Sequence, residues 1–193
     1  MSDRNTNPVE SVEWVELRSG QKIGIRPVRP DDALRLQALF ERLSPESVFL
    51  RFLGTRKTLT DQDAQRLAHV DYDQRMAFVA TLDGSAEDGS AEDSGADETL
   101  IAVARYSAIA DSDPPEAEAA IIVEDSYQHQ GLGTLMLERL STYARQHGIH
   151  RFWAAVHHSN SRILRFLKHS GLPMEKSLED GIWDIHVSIV SEP

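Results

Sequence analysis

The sequence predicts a single mixed domain of the α/β (α+β) class. Short apolar runs of strand length are interleaved with longer segments whose apolar residues recur at helical spacing, and turn residues separate them. The resulting order is strands, helices, three strands, a helix, a strand, a helix and a last strand. At 193 residues, the chain has the length of one domain with a sizeable core.

The first part of the chain predicts two strands and three helical segments. A Ser19-Gly20 turn joins the strands. Asp31 is the expected N-cap of the first helix, Ser44-Pro45-Glu46 interrupts the helical pattern, and Thr60 opens a capping-box sequence. The predicted elements are strands over 14–17 and 23–26, then helical segments from Asp31 to Leu43, through Phe49 and Phe52, and around Ala64 to Ala68.

The second part alternates strands with two amphipathic helices. Gly148 is the expected stop of the first helix, Ser159 or Asn160 is the expected cap of the second, and Gly171 ends it. The predicted elements are strands over 76–82, 100–108 and 116–123, a helix over 131–147, a strand over 151–156, a helix before Gly171 and a strand over 182–190.

Residues 83–98 interrupt a predicted hairpin with a polar insert. They hold seven acids and no bases, and Gly84–Asp88 is repeated at once as Gly89–Asp93. Such a segment buries too little apolar surface to offset the entropy cost of ordering, so we expect a disordered loop. The polar residues 1–13 are expected to form a flexible tail, which leaves 14–191 as the domain.

The composition limits the classes of function. Removing the seven acids of the insert from the net charge of −11 leaves −4, which does not indicate a nucleic-acid surface. The chain has no cysteine, and its histidines lack the spacing of a zinc site, so no metal is expected. No apolar run approaches the ~20 residues that span a bilayer, and no signal-type segment follows Met1. We therefore expect a cytoplasmic protein without a membrane partner.

The segment Gln128-His129-Gln130-Gly131-Leu132-Gly133-Thr134 is the most informative part of the sequence. It follows an apolar strand and opens an amphipathic helix. Its glycines let the backbone approach a ligand closely, and the N–H groups at a helix start favour a phosphate. A Rossmann fingerprint would need a third glycine where Met136 stands, and a P-loop would need a lysine before Thr134. We therefore predict a site for a pyrophosphate-bearing cofactor of another kind.

This segment resembles the acetyl-CoA-binding motif of the GCN5-related N-acetyltransferases, the GNAT family, in which Q/R-x-x-G-x-G/A joins a strand to a helix. Residues 160–172 resemble the second cofactor block of that family, and residues 25–32 resemble its usual opening. The resemblance implies a mostly antiparallel central sheet flanked by helices, with acetyl-CoA as co-substrate and no metal. The cofactor-binding residues that it implies are Ile121, Val123, Gln128, His129, Gln130, Gly131, Leu132, Gly133, Thr134 and Asn160.

A narrower resemblance is to the acetyltransferase domain of bacterial Pat-type protein lysine acetyltransferases. It rests on residues 42–47, on Arg51-Phe52 and on residues 102–106 before the strand of Glu118. It implies direct attack by a protein lysine amine, with Glu118 as general base. Its small strand neighbours leave space for a substrate, and we expect Glu118 to be partly desolvated there. At Leu167, many family members instead carry a tyrosine that protonates the leaving thiolate.

Several alternatives stay open at this point. The acceptor could be a small amine or a polyamine, or the chain could be a non-catalytic acyl-CoA sensor in which Glu118 is an ordinary strand carboxylate. Glu124 and Asp125 are weaker candidates for the base, because they stand where the strand ends. The apolar terminal strand 182–190 would permit a homodimer whose partner strand completes the sheet.

Overall fold

The structure is a computed structural model, and it describes residues 12–82 and 98–190. Most of the expected tail over 1–13 and of the expected acidic loop over 83–98 lies outside the described residues. Glu13, which we assigned to the tail, is the first residue of the first strand. The two strands that flank the loop pair in antiparallel register, as predicted.

One eight-stranded sheet organises the described residues. Its strands are β1 (Glu13–Glu16), β2 (Lys22–Pro27), β3 (Arg75–Leu82), β4 (Thr99–Ala108), β5 (Glu116–Val123), β6 (Arg151–His157), β7 (Met174–Glu179) and β8 (Ile182–Ser188). They lie in the order β1-β2-β3-β4-β5-β6-β8-β7. Every neighbouring pair is antiparallel except β5 and β6, which are parallel. This arrangement confirms the predicted mixed fold with a mostly antiparallel sheet.

The helices of the described residues are α1 (Ala33–Arg42), α2 (Pro45–Phe52), α3 (Asp61–Ala68), α4 (Leu132–Gln146) and α5 (Ser161–His169). Ser44 and Thr60 cap α2 and α3, and each hydroxyl accepts a backbone N–H three residues on. The predicted cap at Asp31 is wrong. A 3-10 turn precedes α1, and Asp32 stands at the N-cap position instead.

The two faces of the sheet carry different helices. Leu132, Met136 and Leu140 of α4 pack with residues of β3 to β5 in the largest core cluster. Leu167 of α5 packs on the same face further along the sheet, against β6 and β8. A second cluster, formed by α1 and α3 with β3 and β4, covers the opposite face. Helix α2 contacts β5 and β6, where the candidate site lies.

A buried ion pair fastens the start of α1 to the sheet. Arg26 of β2 is 1% exposed, and its guanidinium donates to Asp32 at 2.7 and 2.8 Å. Asp32 also accepts the Arg29 N–H at 2.7 Å, and Glu98 bonds the same guanidinium. Removing one member would leave a buried charge without its partner, which is strongly destabilising.

The far edge of the sheet differs from our prediction. Strand β7 was missed, and β8 lies between β6 and β7, so the strand that we expected to offer an edge to a partner is internal. Asp180-Gly181 forms the turn between β7 and β8, with positive φ at both residues. Within the described ranges, no helix combines the length and apolar character needed to cross a membrane.

Candidate active site

Strands β5 and β6 pair over a short stretch and then separate. Their register joins residues 116–118 to residues 151–153, after which β5 pairs with β4 alone and β6 with β8 alone. The gap forms a cavity of about 790 Å³, lined by both strands, the loop after β5 and α5. Ligand sites typically measure roughly 300–1,000 Å³, so this cavity has the size of a cofactor pocket.

The backbone of β5 presents N–H groups to this gap. At the end of the strand, the Glu124 N–H donates to the Ile101 carbonyl of β4 at 2.8 Å. Backbone groups alternate between the two sides of a strand, so the N–H groups of Ile121 and Val123 face away from β4 and toward the cavity. Both residues line the cavity.

The two glycines of the motif stand at the start of α4. Gly131 has φ of +91°, a conformation that L side chains rarely adopt, and it ends the loop. Gly133 lies in the first turn of α4, and an added Cβ would meet the ring of Phe166 on α5 at 3.5 Å. Both glycines line the cavity, where a side chain would occupy space that a ligand could use.

The start of α4 also offers N–H groups to an anion. The first N–H groups of a helix have no intrahelical acceptor. Those of Thr134 and Leu135 donate to the Gly131 carbonyl at 3.1 and 3.2 Å. The N–H groups of Leu132 and Gly133 are therefore the candidates to hold a phosphate.

The side chains of the motif divide between the cavity and the scaffold. His129 and Thr134 line the cavity, whereas the Leu132 side chain is buried in the core. Gln128 lines the cavity and donates to the Val123 carbonyl at 3.0 Å. Gln130 turns away, donating to the Ser126 carbonyl and accepting the Ser19 hydroxyl at 2.6 Å. The two glutamines thus brace the loop.

Helix α5 adds basic side chains that the sequence analysis missed. Asn160 lines the cavity and caps the helix, with its Oδ1 accepting the Ile163 N–H at 3.1 Å. Arg162, Arg165 and His169 line the cavity at i, i+3 and i+7, a spacing that the sequence did display. Arg18 joins them from the β1–β2 turn, and no local pattern indicates it.

Glu118 lines the cavity at the residue pair where β5 and β6 begin to separate. Its neighbours across the sheet are Ser107 and Trp153. The side chain is exposed, so the expected partial desolvation is wrong for the unliganded protein. Two arginines lie near it. Burial lowers the pKa of Arg51, with Glu118 opposing, and burial together with Arg51 lowers the pKa of Arg105 to about 10.

The two acids at the end of β5 have structural contacts. Asp125 accepts the Ser44 N–H and hydroxyl, both at 2.9 Å, and the Ser47 hydroxyl at 2.8 Å. Burial alone would raise the pKa of Asp125, but these hydrogen bonds outweigh it and lower the pKa below its ordinary value. Glu124 pairs with Arg42 at 2.9 Å. Asp125 therefore ties the start of α2 to the cavity wall.

A hydrogen-bond network crosses three strands beside Glu118. Strand alternation places six residues on one side of the sheet, which we call the open face: Glu116, Glu118, Arg151, Trp153, Asp184 and His186. Glu116 accepts Arg151 Nε at 2.8 Å and lies 2.6 Å from His186 Nδ1. Asp184 accepts Trp153 Nε1 at 2.7 Å and lies 3.0 Å from His186 Nε2. The network fixes the indole ring next to Glu118.

Leu167 occupies the position at which many family members carry a tyrosine. Leu167 is 9% exposed; it lines the cavity and also packs in the apolar cluster of β6 and β8. No tyrosine is among the described residues that line the cavity. In the described part of the chain, no three His, Asp or Glu side chains are grouped so that they could hold a metal ion.

Comparison with known protein families identifies the family to which this chain belongs. The family model described as "Acetyltransferase (GNAT) family" matches residues 62–172. The chain belongs to the GNAT family. It is therefore an acyltransferase, and acetyl-CoA is the co-substrate of its family.

Individual GNAT relatives extend the similarity beyond the matched segment. Acetyltransferase PA5475 of Pseudomonas aeruginosa is 30% identical over 179 residues, which cover 92% of this chain and 90% of the relative. Acetyltransferase Pat of Mycolicibacterium smegmatis is 29% identical over 157 residues, 81% of this chain. The matched region is 43% of the length of that Pat protein.

Solved GNAT structures show the same architecture. The crystal structure of the GNAT domain of S. lividans PAT superposes with a TM-score of 0.78 at 31% identity, covering 92% of this chain and 96% of that domain. A cAMP-binding acyltransferase from Mycobacterium smegmatis gives a TM-score of 0.59 at 25% identity, and 48% of its chain is covered. The resemblance to Pat-type GNAT domains is thus confirmed for the fold and the family.

Proposed function

We propose that the chain transfers the acetyl group of acetyl-CoA to the ε-amine of a protein lysine by direct attack, with Glu118 as general base. The observation that carries the proposal is the position of Glu118. It lines the cavity where β5 and β6 separate, within the same cavity as the glycine loop. An acid at this point can reach a thioester that lies between the strands.

Acetyl-CoA would lie in the gap between the strands. Its pyrophosphate suits the N–H groups of Leu132 and Gly133 at the start of α4. The inward N–H groups of Ile121 and Val123 suit the pantetheine arm and the thioester oxygen, where an N–H donor stabilises the developing oxyanion. Basic side chains at the mouth of the cavity suit its phosphates: Arg18, Arg162, Arg165 and His169.

The reaction needs a neutral amine. A lysine amine has a pKa near ~10.4, so almost all of it is protonated at neutral pH. Glu118 accepts one proton from the ammonium, directly or through one water, and the amine nitrogen then bonds to the thioester carbon. As the carbon–sulfur bond breaks, the nitrogen loses its second proton to solvent and the departing thiolate takes up one proton, so the products are an N-acetyl lysine and CoA, and Glu118 returns its own proton to solvent.

A protein acceptor is supported by the surroundings of Glu118. Trp153, Asp184 and His186 are partly exposed on the open face, beside Glu118 in the sheet. The resemblance to Pat-type protein lysine acetyltransferases is what favours a protein lysine as the acceptor. A small amine and a non-catalytic sensor are the competing outcomes of the test. A cytoplasmic location stays a prediction, and so does a homodimer, but not through strand 182–190, which is internal to the sheet.

Release of CoA from acetyl-CoA, measured with a panel of proteins, lysine peptides and small amines, tests the proposal. We expect acceptor-dependent release that falls about 10²–10⁴-fold in kcat/KM for Glu118→Gln, with unchanged affinity for acetyl-CoA. Glu175→Gln is a matched control, because Glu175 is an exposed carboxylate on β7 and should leave the rate unchanged. Tight acetyl-CoA binding without acceptor-dependent release would favour a sensor.

A further inference from the structure

Two arginines beside Glu118 have no ion-pair partner among the described residues. We propose that Arg51 and Arg105 bind a carboxylate of the acceptor molecule, a role that rests on the function proposed above. In a protein acceptor this group is an aspartate or glutamate near the modified lysine. In a free amino acid it is the α-carboxylate.

The fold places both guanidinium groups on the side of the sheet that Glu118 faces. Arg105 pairs with Ala120 and Ser107 pairs with Glu118, so Arg105 is the diagonal neighbour of Glu118 across β4 and β5. Arg51, on α2, lines the main cavity together with Glu118. It also lines, with Arg105, a smaller adjoining cavity of about 50 Å³.

Arg51 and Arg105 hold their positive charges in largely apolar surroundings, which costs free energy. The other residues that line the smaller cavity are apolar. Arg51 stacks over the Phe52 ring at 5.0 Å, and Arg105 donates to the Leu67 carbonyl at 3.4 Å, but neither contact supplies a negative charge. Partly buried like charges repel each other and lose hydration, which a bound carboxylate would offset.

Neighbouring arginines of the same region, in contrast, each have an ion-pair partner. Arg56 and Arg66 both pair with Asp63, and Arg42 pairs with Glu124. The charge of Glu118 opposes the lowering of the pKa of both arginines, but one carboxylate balances only one of two positive charges. The excess positive charge therefore lies where the acceptor must approach Glu118.

The test compares lysine peptides made in pairs, with Glu or Gln at one of the two positions on either side of the lysine. CoA release by the wild type should give a kcat/KM about tenfold higher for at least one Glu peptide than for its Gln partner. Arg105→Gln should remove the difference by lowering the Glu rate alone, and Arg105→Lys should retain part of it. Arg66→Gln, a more exposed arginine that is already paired, should keep the full preference.

The sources of the carboxylate are separated by a second arm. Nα-acetyl-lysine is compared with its methylamide, and a preference for the free acid alone identifies an α-carboxylate. Equal rates within every pair in both arms would overturn the carboxylate site while leaving the proposed function intact.

Loss of all acceptor-dependent release would instead contradict the proposed function. The carboxylate site is then judged by thermal melting with N-acetyl-glutamate methylamide and its glutamine counterpart. Stabilisation by the glutamate compound in the wild type but not in Arg105→Gln would support the site, and equal melting curves would overturn it.

Discussion

Gly131 and Gly133 lie two residues apart, yet we predict that changing Gly131 to alanine lowers the stability of the fold, whereas changing Gly133 to alanine leaves stability unchanged and weakens binding. Gly131 has φ of +91°, so a Cβ there costs about 1–2 kcal/mol. In a chain of this size that loss lowers the Tm by roughly 2–8 °C. At Gly133 the new Cβ would contact the Phe166 ring at 3.5 Å, an ordinary distance. The free energy of unfolding of Gly133→Ala should therefore stay within about 0.5 kcal/mol of the wild type.

The effect of Gly133→Ala should appear in binding instead. Gly133 lines the cavity in the first turn of α4, and a methyl group there holds the pyrophosphate away from the N–H groups. Each lost hydrogen bond to a charged group costs about 1.5–3 kcal/mol, so the Kd for acetyl-CoA should rise roughly 10- to 100-fold. Calorimetric titration measures the Kd, and a thermal melt checks the fold. Wild-type affinity in a folded Gly133→Ala protein would refute phosphate binding by this loop.

Three further predictions concern the contacts that hold the site. Asp125→Asn should destabilise the protein at pH 7, because hydrogen bonds from Ser44 and Ser47 lower the pKa of Asp125 below its unfolded value. That stabilisation is present above the unfolded pKa and is lost as the pH falls through the folded pKa, so the difference in Tm between the two proteins should shrink as the pH falls below the unfolded value of about 3.9. Asp32→Asn should cost about 3–5 kcal/mol in denaturant unfolding, since it leaves Arg26 buried with a weaker partner, and a loss under about 1 kcal/mol would contradict this. Asn160→Ala should lose about 1 kcal/mol of stability from the helix cap and should also weaken acetyl-CoA binding; an unchanged Kd would restrict Asn160 to capping.

The sequence predicted the elements whose periodicity is strong and local. The strand of residues 116–123, the helix after the glycine loop and the cap at Thr60 stand where turn chemistry and apolar spacing placed them, and of the two candidate caps for α5 the structure has Asn160. Strand β7 was missed because its residues are mostly exposed at the edge of the sheet, so burial imposes no alternation on them. The Asp180-Gly181 turn was the signal that could have revealed it.

The candidate site could be predicted only in part, because its shape depends on pairing between distant segments. The separation of β5 and β6 after three residue pairs leaves no trace in either strand's own sequence. Arg18 and Arg51 reach the cavity from segments with no cofactor motif. Conversely, Asp125 looked like a candidate base in sequence, and its three hydrogen bonds to Ser44 and Ser47 show a structural role.

The leucine at position 167 bears on which proton transfer limits the proposed reaction. Removing a proton from a lysine of pKa near ~10.4 at pH 7 costs about 4.6 kcal/mol at ~1.36 kcal/mol per pKa unit. The conjugate acid of the departing thiolate has a pKa near ~8.5, about two units below the pKa of the lysine ammonium. At pH 7 the thiolate therefore needs less help from an acid than the ammonium needs from a base. The demand for an acid at the sulfur is therefore smaller than the demand for a base at the nitrogen. In the proposed reaction, a leucine can therefore stand at this position, and the main demand for proton transfer is the one that we assign to Glu118.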